Sequence, residues 1–77
     1  MRATSPKVVV TFATTVNALA MERSCTEWGI PGRIIPVPTK ISAGCGLAWC
    51  AELQYKEQIV AFLNEKQLAY ADVYMLD

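Results

Sequence analysis

The sequence predicts an α+β fold of βαββαβ order, and three features predict it. A β-branched run, KVVVTFA, stands near the start at Lys7–Ala13. Two later stretches carry apolar residues at helical spacing. Short, largely apolar runs fill the remaining places, at Arg33–Val37, Gly46–Ala51 and Ala69–Leu76. That order is the signature of a ferredoxin-like split βαβ sandwich, in which two helices cover one face of an antiparallel four-stranded sheet. A less regular α+β domain is the alternative.

Each element has its own local reason. Met1–Pro6 reads as a frayed lead-in to a single domain spanning residues 1–77. Lys7–Ala13 is apolar without alternation, as a buried central strand is. Thr14 or Thr15 supplies a cap for the first helix. Ala18, Met21, Cys25 and Trp28 then fall on one helical face. Gly29 suits the left-handed position that ends a helix, and Pro31 prevents continuation. Pro36 places the second strand at a sheet edge. Pro38–Gly44 reads as a loop and Gly46–Ala51 as a third strand. Tyr55–Lys66 forms a second amphipathic helix, with Tyr55, Ile59, Phe62, Leu63 and Lys66 on one stripe. Lys66 belongs where that stripe meets water. No repeat or low-complexity segment interrupts the pattern.

Composition narrows the function. Seven basic and seven acidic residues cancel, and no basic run appears, which disfavours a nucleic-acid partner. There is no histidine, so the usual general base and the commonest metal ligand are missing. Val8–Met21 is too short and too hydroxylated to span a bilayer. Three cysteines is an odd number for a disulfide scaffold. These points together fit a cytoplasmic chain with reduced thiols. The hydrophobic share of 53% is high for 77 residues, and hints at a surface covered by a partner or a second copy.

The candidate site follows from the topology. The loop between strands two and three emerges at the same end of the sheet as the start of helix one. The turn Ser42-Ala43-Gly44-Cys45-Gly46 therefore faces the Thr14–Thr15 cap. Unpaired amides and partial positive charge at a helix start favour a thiolate. Gly44 and Gly46 permit positive φ and close backbone approach around Cys45. Lys40 and Arg33 flank the loop as further positive charge. Each factor lowers a thiol pKa and raises the thiolate fraction. The plain alternative is a tight turn around a small apolar residue.

The run Val9–Ala48 resembles a known family. The matching pieces are TFATTVNALAMERSC and GIPGRIIPVPTKISAGCGLAW, of which IPGRIIPVP followed by ISAGCGLA is the specific part. They resemble the small selenium/sulfur (Se/S) carrier protein-like family, a domain-of-unknown-function family of bacteria. The resemblance implies a persulfide or selenopersulfide held on Cys45, with Ser42, Gly44, Gly46, Thr14 and Thr15 around it. It implies a cysteine desulfurase- or selenocysteine lyase-type donor. It also implies a selenophosphate synthetase- or sulfurtransferase-type acceptor. The chain would then be a substrate of other enzymes, with no cofactor beyond the covalent sulfur or selenium. One departure is Cys50, where the family often carries a basic residue.

The remaining residues have plainer readings. Cys50 follows Cys45 by five positions, roughly 16 Å along an extended strand, too far for a direct disulfide, which needs less than about 7 Å. Alternation also puts the two on opposite faces, so Cys50 reads as a packing or edge residue. Cys25 reads as core. A three-cysteine metal site is disfavoured because no C-x-x-C pair exists. Trp49 shares parity with Cys45 and either walls the thiol, covers an interface or packs the core. Glu22 reads as surface charge. Two other function classes stay open: a non-catalytic interaction or regulatory module, and a small thiol redox protein using Cys45 and Cys50.

Overall fold

A computed structural model describes residues 6–38 and 46–76. The elements are β1 (Lys7–Thr11), α1 (Thr15–Trp28), β2 (Arg33–Pro36), β3 (Leu47–Glu52), a 3-10 turn (Leu53–Tyr55), α2 (Lys56–Glu65) and β4 (Asp72–Leu76). The strands form one sheet in the order β2-β3-β1-β4, with every neighbouring pair antiparallel. This is the expected ferredoxin-like α+β arrangement. β1 lies inside the sheet, and β2, with Pro36, lies at an edge.

Register divides the side chains cleanly between two faces, because successive residues of a strand alternate. Val8, Val10, Trp49 and Ala51 point toward the helices and pack with Ala18, Met21 and Cys25 of α1 and with Ile59, Phe62 and Leu63 of α2. Val9, Ala48, Cys50, Ile35, Tyr74 and Leu76 cluster on the other face together with Val37.

β1, β2 and α2 end at Thr11, Pro36 and Glu65, one or two residues before the expected Ala13, Val37 and Lys66, and four further details differ from expectation. Trp28 falls within the apolar arc of α1 but is 58% exposed. It is the last residue of the helix, and its ring receives the Lys66 ammonium 3.8 Å from the centroid, a cation–π contact between the two helices. α2 begins at Lys56 and not Tyr55, because Leu53–Tyr55 first makes a tight 3-10 turn out of β3. β3 is Leu47–Glu52, one residue later than expected at both ends. β4 starts at Asp72 and not Ala69. The chain leaves α2 through Gln67 in the left-handed region at φ 54°, with the Leu68 amide donating to the Leu63 carbonyl at 3.0 Å. Residues 69–71 then cross back to the sheet, where the Ala71 amide donates to the Thr11 carbonyl at 2.8 Å.

Thr11 fixes that return. Its buried hydroxyl accepts from the Asp72 amide at 3.2 Å and lies 3.4 Å from the Asp72 carbonyl, so the polar group is satisfied inside the sheet. At the opposite end Pro6 accepts from the Leu53 amide at 3.1 Å. Residues 1–5, assigned to the lead-in, lie outside the described residues.

Two glycines answer to different constraints. Gly29 ends α1 at φ 69° with open space where a side chain would stand. Gly32 sits at φ 127°, and a Cβ there would collide with the Trp49 indole nitrogen and lie 2.7 Å from the Cys50 carbonyl. That indole donates to the Pro31 carbonyl at 3.1 Å, so the Pro31–Gly32 corner is packed on the Trp49 ring. Gly29→Ala is expected to cost about 1 kcal/mol, a backbone effect only. Gly32→Ala is expected to cost at least about 2 kcal/mol, because strain and overpacking add. Urea unfolding midpoints of the two variants against wild type check the order.

Candidate functional site

The site is built where the connection between β2 and β3 leaves and returns. β1 runs toward Thr11, and α1 starts just beyond it at Thr15. β2 runs parallel to β1, and β3 comes back antiparallel with Ala48 opposite Thr11. Pro36, Gly46 and the start of α1 therefore share one end of the sheet. The Val37 amide donates to the Gly46 carbonyl at 2.9 Å and closes the base of the connection. Gly46 has φ 78° and nothing within 4 Å of a notional Cβ. Its glycine is required by backbone conformation and not by crowding.

The start of α1 is well defined. Thr14 is extended, at φ −137° and ψ 156°, and its hydroxyl accepts from the Asn17 amide at 3.1 Å. It is the cap, and its hydroxyl is thereby engaged. Thr15 is the first helical residue and is exposed. No acidic residue stands in the first turn, so no side chain offsets the partial positive charge there.

Among the expected site residues, Thr14, Thr15 and Gly46 are thus at one end of the fold. Ser42, Gly44 and Cys45, with Lys40, lie outside the described residues. Arg33 is placed differently from expectation. It opens β2, about 10 Å along the strand from Pro36, beside Cys50 in register. There it lines a cleft of about 260 Å³ with Lys7, Cys50 and Glu52 at the end of the sheet opposite Gly46. The direction of β2 decides this: its loop-proximal end is Pro36.

The other cysteines occupy distinct surroundings. Cys25 is buried on α1 among Met21 and the helix-facing core. Burial pushes its thiol up to about 11 from an ordinary value of 9.0. Cys50 is half-buried on the opposite face of the sheet, between Arg33 and Val9 in register. The sheet separates these two sulfurs, and no group of three potential ligands from His, Cys, Asp and Glu gathers among the described residues. Trp49 belongs to the core and holds the Pro31 corner. The sequence reading missed the Gly32–Trp49 fit. The IPG spelling after a helix-ending glycine was its only local sign.

With this geometry in place, comparison with known proteins gives one clear result. The family described as "Putative Se/S carrier protein-like" matches residues 7–75, and the chain belongs to that family. The match spans the whole described sheet except Leu76, both helices and the β2–β3 connection. No curated protein and no solved structure matches the chain significantly. No helix among the described residues is long and apolar enough to cross a membrane.

The raised Cys25 pKa predicts an alkaline weakness. Above about pH 9 the unfolded chain loses the thiol proton while the folded chain keeps it until about 11. The folded state then binds more protons, so stability falls as pH rises through that window. The loss is on the order of 2 kcal/mol. Urea titrations at a series of alkaline pH values should show the decline in wild type and lack this component in Cys25→Ala. At neutral pH native Cys25 should resist alkylation until the protein unfolds.

Proposed function

We propose that this protein carries sulfur or selenium as a persulfide or selenopersulfide on Cys45 and passes it to an acceptor protein. The observation that carries the reading is the family match, which runs through the Cys45 segment. Supporting it, Gly46 adopts a backbone conformation suited to a tight turn next to Cys45. The α1 start, with no acidic residue in its first turn, lies at the same end of the sheet. Cys25, sealed and protonated at neutral pH, is a poor competitor.

The transfer needs no external oxidant. The Cys45 thiolate attacks the outer sulfur or selenium of a donor persulfide or selenopersulfide. A bond forms from Cys45 to that atom, the bond to the donor sulfur breaks, and the donor leaves as a thiolate. An acceptor nucleophile then attacks the same outer atom, and Cys45 leaves as a thiolate. Ser42, Gly44, Gly46 and the α1 start at Thr14–Thr15 act in this scheme as the cradle, through amides and the Thr15 hydroxyl. Residues 1–77 act as one domain that is the substrate of other enzymes. A cysteine desulfurase- or selenocysteine lyase-type donor and a selenophosphate synthetase- or sulfurtransferase-type acceptor fit the chemistry. A reducing compartment such as the cytoplasm keeps the thiol free.

The test is an intact mass after incubating the reduced protein with a desulfurase and cysteine, or with a selenocysteine lyase and selenocysteine. Wild type and Cys50→Ser are expected to gain one sulfur or selenium atom, and Cys45→Ser to gain none. An adduct that survives Cys45→Ser, or no adduct on any form, overturns the assignment.

A further inference from the structure

A sheet that does not close on itself has two edge strands, and each presents a row of unpaired N–H and C=O groups. Here the edges are β2 and β4. β2 is guarded. It has four residues, opens with exposed Arg33 and closes with exposed Pro36, which has no N–H to offer a further strand. β4 is not guarded in this way. Asp72–Leu76 contains no proline and no basic residue, and its single charge stands at its first position. None of its five residues is fully buried. Among the described residues β4 pairs with β1 alone.

Register divides the β4 side chains between the two sides of the sheet. Val73 lies opposite Val10 and packs against the helix-side core. Met75 lies opposite Val8 and so points the same way, yet it stands outside that core and is 62% exposed. Tyr74 and Leu76 pack with Val9 on the other side. An edge with an exposed apolar side chain and neither lysine nor proline lacks the usual devices that stop edge-to-edge pairing.

We infer that the β4 edge pairs with the β4 edge of a second copy of this chain. The strand is complementary to itself in antiparallel alignment. A two-fold axis perpendicular to the sheet at Tyr74, the middle residue, sets the two Tyr74 residues opposite each other. Val73 of each copy then meets Met75 of the other, and Asp72 meets Leu76. Directly opposed residues share one side of the sheet, so each exposed Met75 is covered by a valine and the two tyrosine rings meet on the other side. Charge decides the direction. Antiparallel alignment leaves the two Asp72 carboxylates about 13 Å apart along the strands, whereas parallel alignment in register would oppose them directly. The two four-stranded sheets join into one with β2 at both ends, where Arg33 and Pro36 stop further growth. The contact is isologous and closes at two copies.

The length of the edge sets the strength. Five residues a side form roughly four to six inter-strand hydrogen bonds. One strand covers well under the roughly 800 Å² a side of a long-lived complex. The pair therefore forms and dissociates with concentration.

Sedimentation equilibrium of the reduced full chain over a wide concentration range tests this, with amide hydrogen exchange followed by mass spectrometry at both ends of the range. A monomer–dimer equilibrium is expected. Exchange in Asp72–Leu76 should slow at high concentration while exchange in Arg33–Pro36 stays the same. Met75→Lys sets a lysine against Val73 twice across the axis and should weaken the dimer by about tenfold. Met75→Leu keeps the apolar contact and should leave it unchanged. Circular dichroism of both variants should stay native, because Met75 is exposed. A chain monomeric at every concentration overturns the inference and leaves the edge to a strand of a different protein. So does a dimer that Met75→Lys leaves intact, or one that protects β2 or α1 in place of β4, because its interface then lies elsewhere.

Discussion

Everything in this fold leans on the double burial of β1. The strand gives both edges to neighbours, β3 on one side and β4 on the other. Val8 and Val10 meet the helices, and Val9 meets the opposite cluster. Each buried valine contributes on the order of 1.5 kcal/mol or more, and in so short a chain that is a sizeable part of the net stability. The pairing also sets register. Thr11 opposite Ala48 and Asp72 determines where β3 begins and where β4 is clamped. A slip of one residue would turn Trp49 out of the core and lose the Pro31 contact. The position of Gly46, and so the base of the β2–β3 connection, follows from strand pairing several residues away.

Legibility in the sequence varied with how local each cause was. The β-branched run, the Thr14 cap and the Gly29 stop act within a turn of chain, and all three read correctly. The Pro36 edge did too, since proline cannot donate to a ladder. Trp28 misled because helical angle alone takes no account of where the helix outruns its sheet. Arg33 misled because nearness in sequence to a loop is not nearness in space once strand direction is applied. The start of β4 depended on a Thr11 hydroxyl 61 positions away, which no periodicity reveals. For the candidate site, glycine spacing pointed to a turn at Cys45–Gly46. The positive φ of Gly46 has the backbone form that such spacing suggests.

The three thiols show how a scaffold this small sorts chemistry. Exchange at sulfur needs both thiolate and access, and the fold controls each separately. Cys25 has neither, being sealed and held protonated. Cys50 is part of a strand, and a strand residue presents its sulfur only along the normal to the sheet. A partner could reach it only by covering the same face that Val9, Ile35 and Tyr74 occupy. Neither of these two thiols therefore combines a free approach with an unburied sulfur, and the carrier role proposed for Cys45 calls on neither.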